Sequence, residues 1–303
     1  MKPGAAISTR SLGKRFGAVQ AVRDLELEVY RGEIYALLGR NGAGKTTTIR
    51  MLLGLIRPSI GEVELLGRRI RTGEMEIFRS VGYLVETAVA YGNLTVRENL
   101  DLQRRLTGAP RAAIAQAIDR LGLGQYADRR ADRLSLGNLQ RLAIARALLH
   151  APDLLILDEP ANALDPAGIV EVRELLRELS SEQGVTVFLS SHILAEVAHL
   201  ADRIGIVHEG SLLEEVNRAQ LPARLSRFIE VAASDPARAR SLLEQASVGR
   251  VEHRDGHLRV YDAPGCEAEI ARILVGAGLD LTSLTSGGED LESFFLRRTG
   301  GDA

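Results

Sequence analysis

A glycine-rich segment near the start of the chain contains one of its few lysines. Residues 39–46 read GRNGAGKT, and Lys45 is one of only three lysines among 38 basic residues. The spacing Gly39-x-x-x-x-Gly44-Lys45-Thr46 is typical of a loop whose backbone N–H groups surround a phosphate at a helix N-terminus. Lysine suits this place because its slim stem passes through the ring of N–H groups, where the broad guanidinium of arginine would collide. The segment therefore predicts a phosphate site for a nucleotide.

The residues on either side of this loop support the same interpretation. The β-type run "IYALLG" leads into it, and apolar residues at helical spacing follow in "KTTTIRMLLGLI". The alternative is a glycine-rich turn that only joins a strand to a helix, and the scarcity of lysine argues against it. We expect the hydroxyl of Thr46 to help hold Mg²⁺. The expected nucleotide contacts are Gly39, Arg40, Asn41, Gly42, Ala43, Gly44, Lys45, Thr46 and Thr47.

Two adjacent acids follow a short apolar run farther along the chain. The segment "DLLILDEP" puts Asp158 at the carboxyl end of a predicted buried strand, where it can bind Mg²⁺. Glu159 comes next and is expected to act as a general base on an attacking water molecule. The alternative is a strand end with two solvated acids, and the phosphate loop upstream argues against it. Together these residues predict hydrolysis of a nucleoside triphosphate.

Two further segments add groups that could contact phosphate. The segment "RLSLGNLQRLAIARALL" begins with small residues and continues as an amphipathic helix, so its start is a second candidate anion site at a helix N-terminus. In "FLSSH", His192 follows a predicted strand and could bind a γ-phosphate. A single histidine in this setting is more often a plain surface residue. Its place after the other motifs favours the phosphate-binding interpretation.

The order of the predicted elements indicates an α/β fold with two domains. Strands alternate with helices, which predicts a mostly parallel sheet, with a β-rich part before it and a helical insertion at about 87–150. We assign residues 1–217 to an ATP-binding domain. The segment "LPARLSR" is interpreted as a linker, and residues 218–303 as a small α+β accessory domain. Its last predicted helix is "EDLESFFLRRT".

Composition limits the class of protein. A hydrophobic share of 45% can fill a core, and a net charge of −2 does not indicate nucleic acid or an anionic membrane as the main partner. A single cysteine, Cys266, cannot form an internal disulfide, and the N-terminus has no secretory signal pattern. The chain also has no apolar run as long as a membrane-spanning helix needs. We therefore expect a cytosolic protein that reaches a membrane only through a partner.

The ordered motifs resemble those of the ATP-binding cassette family. "GRNGAGKTT", "LSLGNLQR", "LILDEP", "NALDP" and "SSH" follow one another within residues 6–217. The resemblance implies a P-loop NTPase cassette that binds ATP and Mg²⁺ and hydrolyses ATP with Lys45, Glu159 and His192. It also implies a head-to-tail homodimer in which each protomer contributes to the ATP site of its partner. The residues implied at this interface are Ser135, Gly137, Asn138 and Asp165.

The resemblance also implies roles for two residues outside the main motifs, Phe16 and Glu86. Phe16, in "GKRFG", falls where the family has an aromatic residue that stacks on adenine, although a core aromatic would fit equally well. Glu86 occupies the position of the usual glutamine and is expected to approach Mg²⁺, because its charge needs a nearby cation. The alternative for Glu86 is a solvated loop carboxylate without a role. This form of the motifs resembles the exporter branch typified by bacitracin, lantibiotic and anthracycline resistance transporters.

The resemblance implies the ATPase subunit of an exporter that drives a separate transmembrane permease from the cytoplasmic face of the membrane. Its cargo would be a drug, a peptide antibiotic or a similar amphiphile. The main alternative is a soluble cassette ATPase acting on nucleic acid or the ribosome. Repair versions would need a long heptad-bearing insertion, and translation versions usually carry two cassettes, whereas this chain shows neither. A nucleotide-binding regulator without turnover is opposed by the presence of Glu159 and His192.

Overall fold

The computed structural model describes residues 4–73, 76–86, 89–221, 226–254 and 256–288. Contacts between Cα atoms divide the chain into two compact units, Met1–Arg218 and Ala219–Ala303. We call them the cassette unit and the C-terminal unit. That each is a functional domain stays a prediction.

An antiparallel sheet forms the β-rich start of the cassette unit. Its strand order is β2-β1-β4-β5, and β1 and β2 form a long hairpin that turns at Gly17, where φ is +56°. Buried and exposed side chains alternate along most of β2, as expected for a sheet with one face on the core. The strands are β1 (Ala5–Phe16), β2 (Val19–Tyr30), β4 (Ile60–Leu65) and β5 (Arg68–Arg69).

The second sheet of the cassette unit is mostly parallel, which confirms the predicted α/β class. Its order is β10-β9-β3-β8-β7-β6, in which β10 pairs antiparallel with β9 and the other pairings are parallel. Every residue of β3, β7 and β8 is buried, as is typical of strands covered on both faces. The strands are β3 (Ile34–Leu38), β6 (Val81–Leu84), β7 (Leu154–Asp158), β8 (Thr186–Ser191), β9 (Arg203–His208) and β10 (Ser211–Asn217).

The helices of the cassette unit fall into two groups. One group follows strands of the parallel sheet: α1 (Lys45–Leu52), α5 (Pro166–Gln183) and α6 (Leu194–Leu200). The other group lies between β6 and β7, within the predicted helical insertion: α2 (Val96–Thr107), α3 (Ala112–Arg120) and α4 (Leu136–Leu148). Helix α2 begins with a capping box between Thr95 and Glu98 and ends at Gly108 in the left-handed conformation, so its sequence specifies both ends.

The C-terminal unit is an antiparallel sheet with helices on one face. The strand order is β12-β13-β11-β14, and Ile229, Val231, Leu258 and Val260 form a buried cluster with residues of α7 and α8. The elements are β11 (Arg227–Ala233), α7 (Pro236–Gln245), β12 (Arg250–Arg254), β13 (His257–Tyr261), α8 (Glu267–Gly276) and β14 (Leu281–Gly288). The predicted last helix and part of the predicted linker lie outside the described residues. No helix in the described ranges is long and apolar enough to span a membrane.

Candidate ATP-hydrolysis site

The phosphate loop connects β3 to α1 at the carboxyl edge of the parallel sheet. Gly44 caps α1 with a φ of +99°, and a Cβ atom there would lie 2.5 Å from the carbonyl oxygen of Ala21. A Cβ atom on Gly39 would lie 2.7 Å from the carbonyl oxygen of Val207. Glycine is therefore required at both positions, because the loop bends sharply and lies against neighbouring backbone. Both glycines were predicted from their spacing.

The side chain of Lys45 lies inside this loop. It is 6% exposed, and its Nζ donates hydrogen bonds to the carbonyl oxygens of Gly39, at 2.7 Å, and Arg40, at 3.4 Å. The same Nζ lies 3.3 Å from Oε1 of Glu159. A slender side chain fits this path, which agrees with the argument for lysine over arginine.

Asp158 is held by two hydroxyl groups. Thr46 Oγ1 donates to Oδ2 of Asp158 at 2.8 Å, and Ser190 Oγ donates to Oδ1 at 2.5 Å. Asp158 is 2% exposed, so these bonds fix the orientation of a nearly buried carboxylate. Ser190 Oγ also accepts the backbone N–H of Glu159 at 3.0 Å. Ser190 was not predicted as a site residue, although parallel pairing places it directly opposite Asp158.

Glu159 lies between Lys45 and His192. Its Oε2 is 2.8 Å from His192 Nδ1, while its Oε1 faces Lys45. Its backbone φ of +49° is uncommon for a residue with a side chain and occurs often at functional sites. Gln140 of α4, which is 5% exposed, donates from Nε2 to the carbonyl oxygens of Glu159, at 3.2 Å, and Pro160, at 3.0 Å. The three residues predicted to be catalytic are thus brought together, and Gln140 is a support that the sequence reasoning missed.

A partly buried carboxyl group adjoins this cluster. Glu196 of α6 is half-buried, and its burial raises the pKa of its carboxyl group. The nearby His192 ring lowers that pKa and the charge of Glu159 raises it, both less than burial does. Glu196 therefore holds a proton more readily than an ordinary glutamate.

The residues implied at a dimer interface mark the starts of two helices. Ser135 caps α4, where its Oγ accepts the N–H of Asn138 at 3.3 Å. A Cβ atom on Gly137 would lie 3.1 Å from the carbonyl oxygen of Ala163. Asp165 caps α5, where its Oδ1 accepts the N–H of Gly168 at 2.9 Å. Each cap satisfies an N–H group that the helix itself leaves unpaired.

Phe16 and Glu86 are both exposed. Phe16 is 49% exposed at the end of β1, with Lys14 Nζ 4.9 Å from its ring centre, so the alternative of a core aromatic is wrong. Glu86 has a φ of +62° and forms an ion pair with Arg50 in the last turn of α1. The cation that balances Glu86 in this structure is therefore Arg50, a partner that the sequence reasoning did not consider. The approach of Glu86 to Mg²⁺ stays a prediction.

The oxygen atoms at the loop fit a hard divalent cation such as Mg²⁺. Thr46 Oγ1 and Asp158 Oδ2 lie 2.8 Å apart beside the phosphate loop. The described residues contain no cluster of three or more acidic, histidine or cysteine side chains that could form a complete metal cage. Mg²⁺ does not need one, because it usually takes one or two protein ligands together with substrate phosphates and water.

Comparisons with known proteins agree with this geometry. A family model described as "ABC transporter" matches residues 22–162. The bacitracin transport ATP-binding protein BcrA of Bacillus licheniformis is 44% identical, covering 97% of this chain and 97% of BcrA. The lantibiotic transport ATP-binding protein SrtF of Streptococcus pyogenes is 38% identical, covering 69% of this chain and 90% of SrtF.

A solved structure shares the cassette fold. The dimeric post-hydrolysis structure of the ATP-binding cassette MJ0796, bound to ADP and Pi, matches with a TM-score of 0.66 and 25% identity. The match covers 70% of this chain and 98% of that one. The family, the fold and the branch indicated by the motifs are thus confirmed. The chain belongs to the ABC transporter family, as an ATP-binding subunit that hydrolyses ATP.

Proposed function

We propose that this ATPase drives a separate membrane permease that exports a peptide antibiotic or a similar amphiphile. The observation that carries the proposal is similarity along 97% of the chain to a bacitracin transport ATP-binding protein. The assembled cluster of Lys45, Asp158, Glu159 and His192 supports an active ATPase rather than a regulator. Action on nucleic acid or the ribosome is not favoured, because the relatives are named as transport subunits.

The cluster divides the chemistry among its members. Lys45 and the N–H groups of the loop would hold the β- and γ-phosphates, and Thr46 and Asp158 would hold Mg²⁺, which neutralises developing charge on the phosphates. Glu159 would take a proton from the attacking water, and His192 would orient both Glu159 and the γ-phosphate. Phe16 presents an exposed ring on which adenine would stack. Glu86 would move from Arg50 towards the metal when the site closes.

The start of α4 supports a head-to-tail homodimer. We propose that its first N–H groups bind phosphate, and Leu136 at this end is 70% exposed. In the proposed dimer, Ser135, Gly137 and Asn138 contact ATP bound to the partner protomer, and Asp165 lies where the two protomers meet. The dimeric structure of the similar cassette MJ0796 supports the pairing of two protomers.

A cleft beside the helical insertion is the proposed docking surface for the permease. It has a volume of about 850 Å³ and is lined by residues from 76–85 and 89–91 and from helices α2 and α4. Large apolar side chains surround it, among them Tyr83 at 43%, Val89 at 71% and Leu106 at 73% exposure. Exposed apolar clusters of this kind mark interaction surfaces. Docking here would place the chain at the cytoplasmic face of the membrane, next to the loop that carries Glu86.

Transport by the assembled system tests this proposal. The chain would be expressed in an antibiotic-sensitive bacterium together with a candidate permease chosen from the genes next to its own, and resistance and efflux of labelled bacitracin would be measured. We expect resistance only when both proteins are present, and its loss in Glu159→Gln. The exposed Glu182→Gln on α5 is the matched control and should behave as the wild type. Resistance that persists in Glu159→Gln, or ATPase activity stimulated by ribosomes and not by the permease, would contradict the proposal.

A further inference from the structure

The hairpin turn between β9 and β10 contains a buried glycine. The turn has two residues, Glu209 and Gly210, since His208 and Ser211 pair on either side of it. Both have positive φ values, +45° and +82°, as the tight turns of β-hairpins require. Such turns usually lie on the surface, whereas Gly210 is buried. Other parts of the cassette unit therefore pack against this turn.

One hydrogen bond joins the turn to the phosphate loop. The N–H of Gly210 donates to the carbonyl oxygen of Ala43 at 3.1 Å. The peptide bond between Ala43 and Gly44 is trans, so its C=O and its N–H point in opposite directions. With the carbonyl group held towards Gly210, the N–H of Gly44 points away from the turn. That N–H makes no hydrogen bond within the described part of the chain, so it can bind an anion.

A second hydrogen bond joins the turn to β2. The N–H of Arg23 donates to the carbonyl oxygen of Gly210 at 2.7 Å. Strand β2 begins at Val19, which pairs with Phe16 at the end of β1. Gly210 thus bonds through its N–H to the phosphate loop and through its C=O to the hairpin that carries Phe16.

Three backbone segments meet too closely at Gly210 to admit a side chain. A Cβ atom on Gly210 would lie 2.8 Å from the carbonyl oxygen of Ala21 and 3.1 Å from Cα of Val22. A Cβ atom on Gly44 would lie 3.5 Å from Cα of Gly210. Backbone atoms cannot move aside as the end of a flexible side chain can. A substitution at Gly210 would therefore push the turn away from its neighbours.

We propose that Gly210 is a positioning residue for the nucleotide. Its N–H holds the carbonyl group of Ala43 outwards, so that the N–H of Gly44 points into the phosphate loop and binds phosphate. Its C=O keeps the hairpin with Phe16 at a fixed distance from the loop, so that the adenine and the phosphates of one nucleotide reach their sites together. This inference rests on the proposed roles of the loop and of Phe16 in holding ATP, and Gly210 lies outside every motif identified in the sequence.

The matched control for Gly210 is Gly67. It is the second residue of the two-residue turn between β4 and β5, its φ is also +82°, and a Cβ atom there would meet nothing within 4 Å. Gly210→Ala and Gly67→Ala therefore introduce the same backbone strain, and only Gly210→Ala displaces the phosphate loop.

Binding of ADP to the full-length protein, measured by isothermal titration calorimetry, compares the two variants. We expect Gly210→Ala to bind ADP more weakly by about tenfold or more, because a hydrogen bond to a charged phosphate is lost. Gly67→Ala should bind ADP as tightly as the wild type does. A merely structural role for Gly210 would not give this result, since a loss of stability lowers the folded fraction and leaves the affinity of the folded molecules unchanged.

Hydrogen exchange in the wild type, followed by NMR at single residues, decides the proposal even if Gly210→Ala does not fold. Without nucleotide, the amide of Gly210 should exchange slowly, because it is bonded to Ala43, and the amide of Gly67 in its exposed turn should exchange fast. Added ADP should slow the exchange of the Gly44 amide.

Three results would overturn the proposal: a Gly210 amide that exchanges as fast as that of Gly67, a Gly44 amide that ADP does not protect, or equal affinity for ADP in Gly210→Ala and Gly67→Ala. A wild type that binds no ADP would instead overturn the proposed role of the loop, and this inference with it.

Discussion

Ser190 is the residue whose removal should damage the site most without removing a reacting group. It is 0% exposed and holds both acids, since it donates to Asp158 Oδ1 at 2.5 Å and accepts the N–H of Glu159 at 3.0 Å. Ser190→Ala deletes a hydrogen bond to a charged group, worth about 1.5–3 kcal/mol, and leaves a buried N–H without its acceptor, at about 1–3 kcal/mol. We expect the cassette unit to lose about 3 kcal/mol of unfolding free energy.

Activity should fall as well, because both acids would lose a fixed orientation. A displacement of about 1 Å at a reacting group can cost on the order of a hundredfold in rate, so kcat should fall by about ten- to a hundredfold. Urea unfolding followed by far-UV circular dichroism gives the stability, with the transition of the cassette unit separated from that of the C-terminal unit. A coupled phosphate-release assay gives kcat.

Ser181→Ala is the control for this prediction. Ser181 is exposed and its Oγ donates to the carbonyl oxygen of Arg177 at 2.8 Å. Its removal should change the unfolding free energy by less than about 0.5 kcal/mol. If Ser190→Ala were as stable and as active as this control, the bonds of Ser190 would not hold the two acids, and the reasoning would fail.

Three more substitutions test separate parts of the site. Lys45→Arg should abolish ATP turnover, because a guanidinium does not fit inside the loop, where Lys45 Nζ bonds to the carbonyl oxygen of Gly39. An ATPase assay measures the turnover. Phe16→Ala should weaken ATP binding without changing kcat, because an exposed stacking surface is lost; titration with a fluorescent ATP analogue measures this. Glu196→Gln should stabilise the cassette unit near neutral pH, because burial raises the pKa of Glu196 and penalises its ionised form; urea midpoints across pH measure this.

The sign of the Glu196 effect follows from its raised pKa. The folded state binds the proton more tightly than the unfolded state, so Glu196 favours folding at acidic pH and this contribution is lost as the pH rises through the folded pKa. The gain in stability from Glu196→Gln should therefore shrink towards acidic pH, and a gain that stays constant with pH would contradict this prediction. Near wild-type turnover by Lys45→Arg, or unchanged ATP affinity in Phe16→Ala, would contradict the other two predictions.

Local sequence predicted the parts of the site that lie within one motif. The phosphate loop, Asp158 and Glu159 are recognised from the types and spacing of neighbouring residues at the end of a strand. The α/β class followed from the alternation of strands and helices. His192 required the order of several motifs, because an isolated histidine has many ordinary explanations.

Residues that act through tertiary contact were not predicted. Ser190 reaches Asp158 only because β7 and β8 pair in parallel, and Gln140 of α4 reaches the backbone of Glu159 just after β7. Arg50 and Glu86 are 36 residues apart, and their ion pair depends on how the loop after β6 passes α1. The spacing of residues along the sequence does not reveal these contacts, since they are set by how the strands pair and how the elements pack.

We propose that Lys45, Asp158 and Glu159 form a working ATPase site, and one measurement tests this directly. ATP hydrolysis and ATP binding would be measured on the purified wild type and on Glu159→Gln under the same Mg-ATP conditions. We expect the wild type to release phosphate, and Glu159→Gln to bind ATP at least as tightly while its turnover falls by about a hundredfold or more, because the amide fills the same space without acting as a base. Equal turnover by the two proteins, or a wild type that binds ATP without releasing phosphate, would contradict the account.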